Sequence, residues 1–182
     1  MAEASAIHPA SAGASTGLRD IVALASSITS IENGVLCYRG INIDELAENA
    51  TFEEVIYLLW KGELPPAREL ESFRQQVAVN AALPQGLIDV MKTFPRRTTP
   101  MEGLRTAVSA LATFDAESED MSEAANHRKA VRLQGQIASI VAAYDRIRND
   151  REPIPPRPEL SLAANFLYML RGIVPDPLSV RA

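Results

Sequence analysis

The chain of 182 residues carries a net charge of -5, with 47% apolar and 23% charged residues, the composition of a globular protein long enough to bury a core. The acidic balance leaves no electrostatic footprint for nucleic acid or an anionic membrane, and no apolar run approaches the ~20 residues of a membrane span. One cysteine, Cys37, and two histidines, His8 and His127, exclude an internal disulfide and a Cys/His metal cluster, and a cytoplasmic setting fits.

Residues 1–16, "MAEASAIHPASAGAST", are Ala- and Ser-rich, lack Lys, Arg and an apolar core, and are expected to be a flexible tail and not a targeting peptide. From Gly17 the pattern changes. Two β-compatible runs, 27–31 and 35–39, flank Glu32-Asn33-Gly34, and Asn-Gly is a strong hairpin signal because both positions tolerate positive φ. This hairpin is the only β-structure expected.

Helices follow. In "TFEEVIYLLWKG" Thr51 and Glu54 have capping-box spacing and Gly62 stands where the helix should stop. "LPPARELESFRQQVAVNAAL" predicts a helix from the proline pair to about Ala81, and Pro84 opens a shorter one. Thr99, Pro100 and Glu102 repeat the capping box. Asp120 and Glu123 share that spacing, and no proline intervenes from there to Asn149, so a helix of roughly 28 residues, ~42 Å long, is predicted. Along it Ala130, Leu133, Ile137, Ile140, Tyr144 and Ile147 alternate steps of three and four, one stripe facing a partner helix. Gly135, Ala138 or Ser139, and Ala142 form a row small enough for close backbone approach. The Pro-rich stretch 149–160 is a connector, a helix runs from Pro158 to Gly172, and Asp176-Pro177 announces one more.

Few residues invite chemistry. His127 stands among Arg128, Lys129 and Arg132 with no nucleophile near and is assigned to a surface or helix-packing role; His8 lies in the tail. Cys37 sits in a predicted strand as a small half-buried side chain. Arg96 and Arg97 precede a helix start, where a phosphate could be held. Arg146, Arg148 and Arg151 complement the end of the long helix. Glu53 and Glu54, and Glu117, Glu119 and Asp120, are placed by helix N-termini. No phosphate loop or Ser/His/Asp arrangement is found, and no catalytic, cofactor-binding or metal-binding residue is assigned.

The wording of the segments is nonetheless specific. "GLRDIVALASSITSIENGVLCYRGINIDELAENATFEEVIYLLWKGELP" (17–65) resembles the opening of the citrate synthase family, 2-methylcitrate synthases included. "TTPMEGLRTAVSAL" (98–111), "RKAVRLQGQIASIVAAYDRIRN" and "NFLYMLRGIVPDP" resemble later helices of the same family. The resemblance implies a mainly α fold, with 17–182 as the N-terminal part of the helical large domain and one short N-terminal β-hairpin. It implies an acyltransferase of the tricarboxylic acid cycle that condenses acetyl-CoA or propionyl-CoA with oxaloacetate, with no bound cofactor. It also implies a homodimer, or pairing with a full-length subunit, through helices at about 100–114 and 120–148. In this family an aspartate base, two histidines and carboxylate-binding arginines do the chemistry, in segments that match nothing in residues 1–182. This stretch by itself is therefore expected to be inactive, the first half of a synthase cut at a helix start. The alternative is a non-catalytic dimerisation module derived from such an enzyme.

Overall fold

The computed structural model describes residues 26–32 and 34–181; the expected tail, 1–16, lies outside them. Strands β1 (Thr29–Glu32) and β2 (Val35–Tyr38) pair antiparallel with Glu32 opposite Val35. Gly34 stands before β2 at φ 81°; Asn33, the other residue of the expected turn, lies outside the described residues. A third strand, β3 (Ile41–Asn42), extends the sheet on β2, so the hairpin is not the whole of the β-structure. Its turn is made by Arg39 and Gly40, both at positive φ, a type of tight turn that Asn or Asp would have advertised and Arg does not. The Arg39 guanidinium donates to the Leu59 carbonyl at 2.7 Å and to the Ser27 hydroxyl at 3.0 Å, which fixes the sheet to the helix that follows.

Helix α1 is Ile43–Asn49 and α2 is Phe52–Lys61. The α2 capping box forms as expected: Glu54 accepts from the Thr51 amide at 2.7 Å, the Thr51 hydroxyl accepts from the Glu54 amide, and Gly62 closes the helix in the left-handed region. Helices α3 (Ala67–Val79) and α4 (Gln85–Lys92) begin after Pro66 and Pro84. Helix α5 is Pro100–Leu111, with the second capping box between Thr99 and Glu102, and it runs into a 3-10 turn at Ala112–Phe114.

The long helix α6 spans Glu123–Arg148, 26 residues, or about 39 Å. Its N-cap is Ser122, whose hydroxyl accepts from Ala125, while Asp120 accepts from the Ser122 amide in the turn before. The cap therefore falls two residues later than the Asp120–Glu123 spacing suggested, because an Asx turn satisfies Asp120 first. Helix α7, Leu162–Arg171, likewise starts later than Pro158, since Ser161 supplies the cap; Gly172 ends it. Asp176 caps α8, Pro177–Arg181, by accepting from Leu178 and Ser179.

Helix α6 is the spine between two apolar clusters. Its first half presents Val131 to Ile56 of α2 and to Phe73 and Val77 of α3. Its second half presents Ile140, Ala143 and Tyr144 to Leu87 and Met91 of α4 and to Ala107 and Leu111 of α5. A Cβ at Gly135 would lie 2.8 Å from the Val77 carbonyl and 2.9 Å from the Ala81 Cα, so α3 and α6 approach backbone to backbone there. Helix α7 lies on the adjacent side, where Ser139 meets Met169. The small row expected on the long helix is thus consumed inside this chain.

Candidate functional site

An apolar strip on α5 and α6 is the surface with the clearest capacity for function. The sequence stripe on α6 divides in the fold. Ile140 is 0% exposed and Tyr144 4%, Tyr144 edge-on to Phe94 and donating to the Thr98 carbonyl at 3.3 Å; both are committed to this chain's own core. Leu133, Ile137 and Val141 remain 37%, 40% and 36% exposed, and their spacing of four places them in one row on the outer face. On α5, Met101 is 70% exposed. Met101 and Val141 line one hollow of about 270 Å³ with Leu104, Phe166 and Leu170. At the other end, Leu133, Val108, Leu111 and Phe114 line a larger one of about 480 Å³. A row of branched apolar side chains between two hollows is a surface that matches protein better than water. Ile173, Val174 and Leu178 are also exposed.

The larger hollow is walled on one side by the segment after α5. Arg132 of α6 donates to both oxygens of Asp115, at 2.9 and 2.7 Å, and to Glu117 at 2.7 Å; Arg128 also donates to Glu117. The two guanidiniums hold the Glu117 carboxyl down at about 2, the Arg128 hydrogen bond being the larger cause. Asp115 is lowered as well, burial opposing and the Arg132 hydrogen bond and charge outweighing it. Glu117 therefore does not serve a helix N-terminus. It was visible as an acid near basic residues, but its partners lie 11 and 15 positions away, a separation no helical spacing announces.

Glu53 is likewise not spent on its own helix start. It is buried, and its Oε1 accepts from the Leu162 amide at 2.9 Å, capping α7 from 109 residues away. Nothing in "TFEEV" distinguishes Glu53, which does this, from Glu54, which closes its own capping box.

The other singled-out residues are structural in their placement. His127 is exposed and stacks edge-on to Trp60, ring centres 5.7 Å apart. Cys37 is half-buried in β2. Arg96 is taken by Asp150 through two hydrogen bonds of 3.0 and 2.7 Å, and the α5 N-terminus is filled by Glu102, so the anion site suggested by "FPRR" is already satisfied internally; Arg97 is exposed beside it. Arg146 donates to the carbonyls of Glu152 and Leu170, and Arg148 lies over the Tyr144 ring. Arg151 pairs with Asp145. Among the described residues no three His, Cys, Asp or Glu side chains converge as a metal site. No described helix is long and apolar enough to cross a membrane.

Residues 17–182 match the family model "Citrate synthase, C-terminal domain". Citrate synthase 2 of Bacillus subtilis is 47% identical over 93% of this chain and 46% of its own length. A 2-methylcitrate synthase of Mycobacterium tuberculosis is 35% identical over 91% of this chain and 42% of its own. The crystal structure of citrate synthase from Pyrobaculum aerophilum superposes with a TM-score of 0.82 at 34% identity, covering 90% of this chain and 44% of that one. The chain spans a little under half the length of the curated relatives it matches.

Proposed function

The chain belongs to the citrate synthase family, and on that premise we propose that it supplies the dimer-forming helical part of an acyltransferase that joins acetyl-CoA or propionyl-CoA to oxaloacetate, giving citrate or methylcitrate. The observation that carries this reading is the exposed row Leu133, Ile137 and Val141 beside Met101. An apolar row on the longest helix has no structural use in a lone chain, whereas a second copy crossing it at α5 and α6 removes it from water.

The reaction needs a base at the acyl-CoA methyl and groups that stabilise the enolate oxygen. Neither His127, on Trp60, nor Cys37, in β2, stands beside a carboxylate in a hollow that could do this. The 182 residues taken alone are therefore inactive: release of free CoA from acetyl-CoA and oxaloacetate stays at background, and turnover near the ~10 s⁻¹ of an ordinary enzyme would overturn this.

The assembly is tested separately. Light scattering on the eluted chain should give twice the monomer mass. Ile137→Asp should halve it without loss of helix signal, because a carboxylate is tolerated on an open surface but costs several kcal/mol when enclosed in an apolar contact. An Ile137→Asp protein that stays dimeric refutes the interface.

A further inference from the structure

Glu53 of α2 and Arg74 of α3 carry opposite charges and line one small hollow at the start of α7, together with Ser161, the α7 N-cap. They do not pair. Glu53 is 4% exposed, and among the described residues it receives one hydrogen bond, from the Leu162 amide at 2.9 Å to Oε1, which leaves its second carboxylate oxygen free to accept. Arg74 is committed elsewhere through Nη2, which donates to the Thr51 hydroxyl at 3.2 Å. Its Nε is buried, and among the described residues it is the one buried side-chain nitrogen or oxygen without a hydrogen-bond partner. None of the ion pairs among the described residues joins the two.

A buried carboxylate and a buried guanidinium N–H both give up hydrogen bonds to bulk water, and folded proteins supply others in their place. Here the protein itself replaces neither in full. The space that the hollow leaves to the centre of a water-sized sphere is about 10 Å³, at the lower end of the ~10–15 Å³ that one water needs. The chemistry of the wall is equally restrictive, because the guanidinium repels a cation, the carboxylate repels an anion, and an unused donor beside an unused acceptor calls for a neutral molecule that can both accept and donate. At this size that molecule is water.

We propose that the hollow is the site of one internal water, which accepts from the Arg74 Nε–H and donates to the free oxygen of Glu53, with the Ser161 hydroxyl as a third partner. Two to four such partners are usual for an internal water. The water ties α2, α3 and α7 together at the point where α7 begins, and it lets the Arg74 charge offset the Glu53 charge without contact between them. It enters from solvent by way of the wider hollow of about 480 Å³ alongside, whose wall shares Arg74, Leu160 and Ser161.

NMR on the isotope-labelled chain, at mildly acid pH where guanidinium protons exchange slowly, tests this. The Arg74 Nε–H signal, assigned through its own side-chain bonds, should show cross-peaks at the water frequency of opposite sign in NOESY and ROESY spectra, the mark of a held water and not of proton exchange. A high-resolution crystal structure of the same chain should show one ordered water within about 3.2 Å of both Arg74 Nε and a Glu53 carboxylate oxygen. An Nε–H signal that contacts protein protons alone, or density in which Nε lies directly on Glu53 or side chains fill the hollow, overturns the proposal. Should the Nε–H signal be too broad to detect, the crystal density decides.

Discussion

Replacing Ile137 and Ile140 one at a time by Ala separates the two faces of α6. The positions are three apart and look equivalent in the sequence stripe. Ile140 is 0% exposed, enclosed by Leu87, Met91, Ala107, Leu111, Ala143 and Tyr144, so removing its outer carbons loses their transfer energy and leaves a cavity that rigid helices on two sides cannot close. Such losses run from 2 to 5 kcal/mol, and about 3 is expected here. For a domain of this size that lowers Tm by roughly 10 °C. Ile137 is 40% exposed; much of its side chain is already wet and no closed void forms, so the isolated chain should lose less than about 1 kcal/mol. Urea unfolding at a concentration low enough that light scattering gives the monomer mass, followed by far-UV dichroism, measures both, with equal m-values as the check on two-state behaviour. Comparable losses for the two variants would refute the assignment of one face to the core and the other to an interface.

Glu53→Ala should destabilise by about 2 kcal/mol, since the Leu162 amide is left without its partner in a closed site, while Glu53→Gln, which keeps a carbonyl acceptor, should lose well under half of that in the same urea assay. The acid limb of stability carries the signature of Glu117: its carboxyl is held at about 2 against an ordinary 4.5, so its contribution is complete above pH ~5 and is lost as pH falls towards 2. Arg128→Met should flatten that part of the stability–pH curve, and an unchanged slope would show that Arg128 does not hold the carboxylate. Gly135→Ala should cost a net 1–2 kcal/mol despite the better helix propensity of Ala, because its Cβ meets backbone atoms of α3 that cannot rotate away; a stabilised variant in thermal unfolding would mean that α3 and α6 are further apart than described.

What the sequence by itself determined is local. Thr51 with Glu54 and Thr99 with Glu102 fold into capping boxes, Gly62 and Gly172 stop their helices in the left-handed region, and Glu32 pairs with Val35 across a tight β1–β2 connection; each depends on contacts within about four residues, which spacing records directly. The mainly helical fold and its family were legible for the same reason, in the order of such signals. The third strand was not, because an Arg-Gly turn lacks the usual residues. Only the tertiary structure decided which side of α6 turns inward. That helix packs on α3, on α4 and α5, and on α7, so apolar residues occur around most of its circumference and periodicity cannot choose between Ile137 and Ile140. Glu53 under α7, and Arg132 between Asp115 and Glu117, are likewise products of the folded arrangement: long-range hydrogen bonds form where the packed helices deliver a donor, and Glu54, one residue from Glu53, receives only local ones from Thr51.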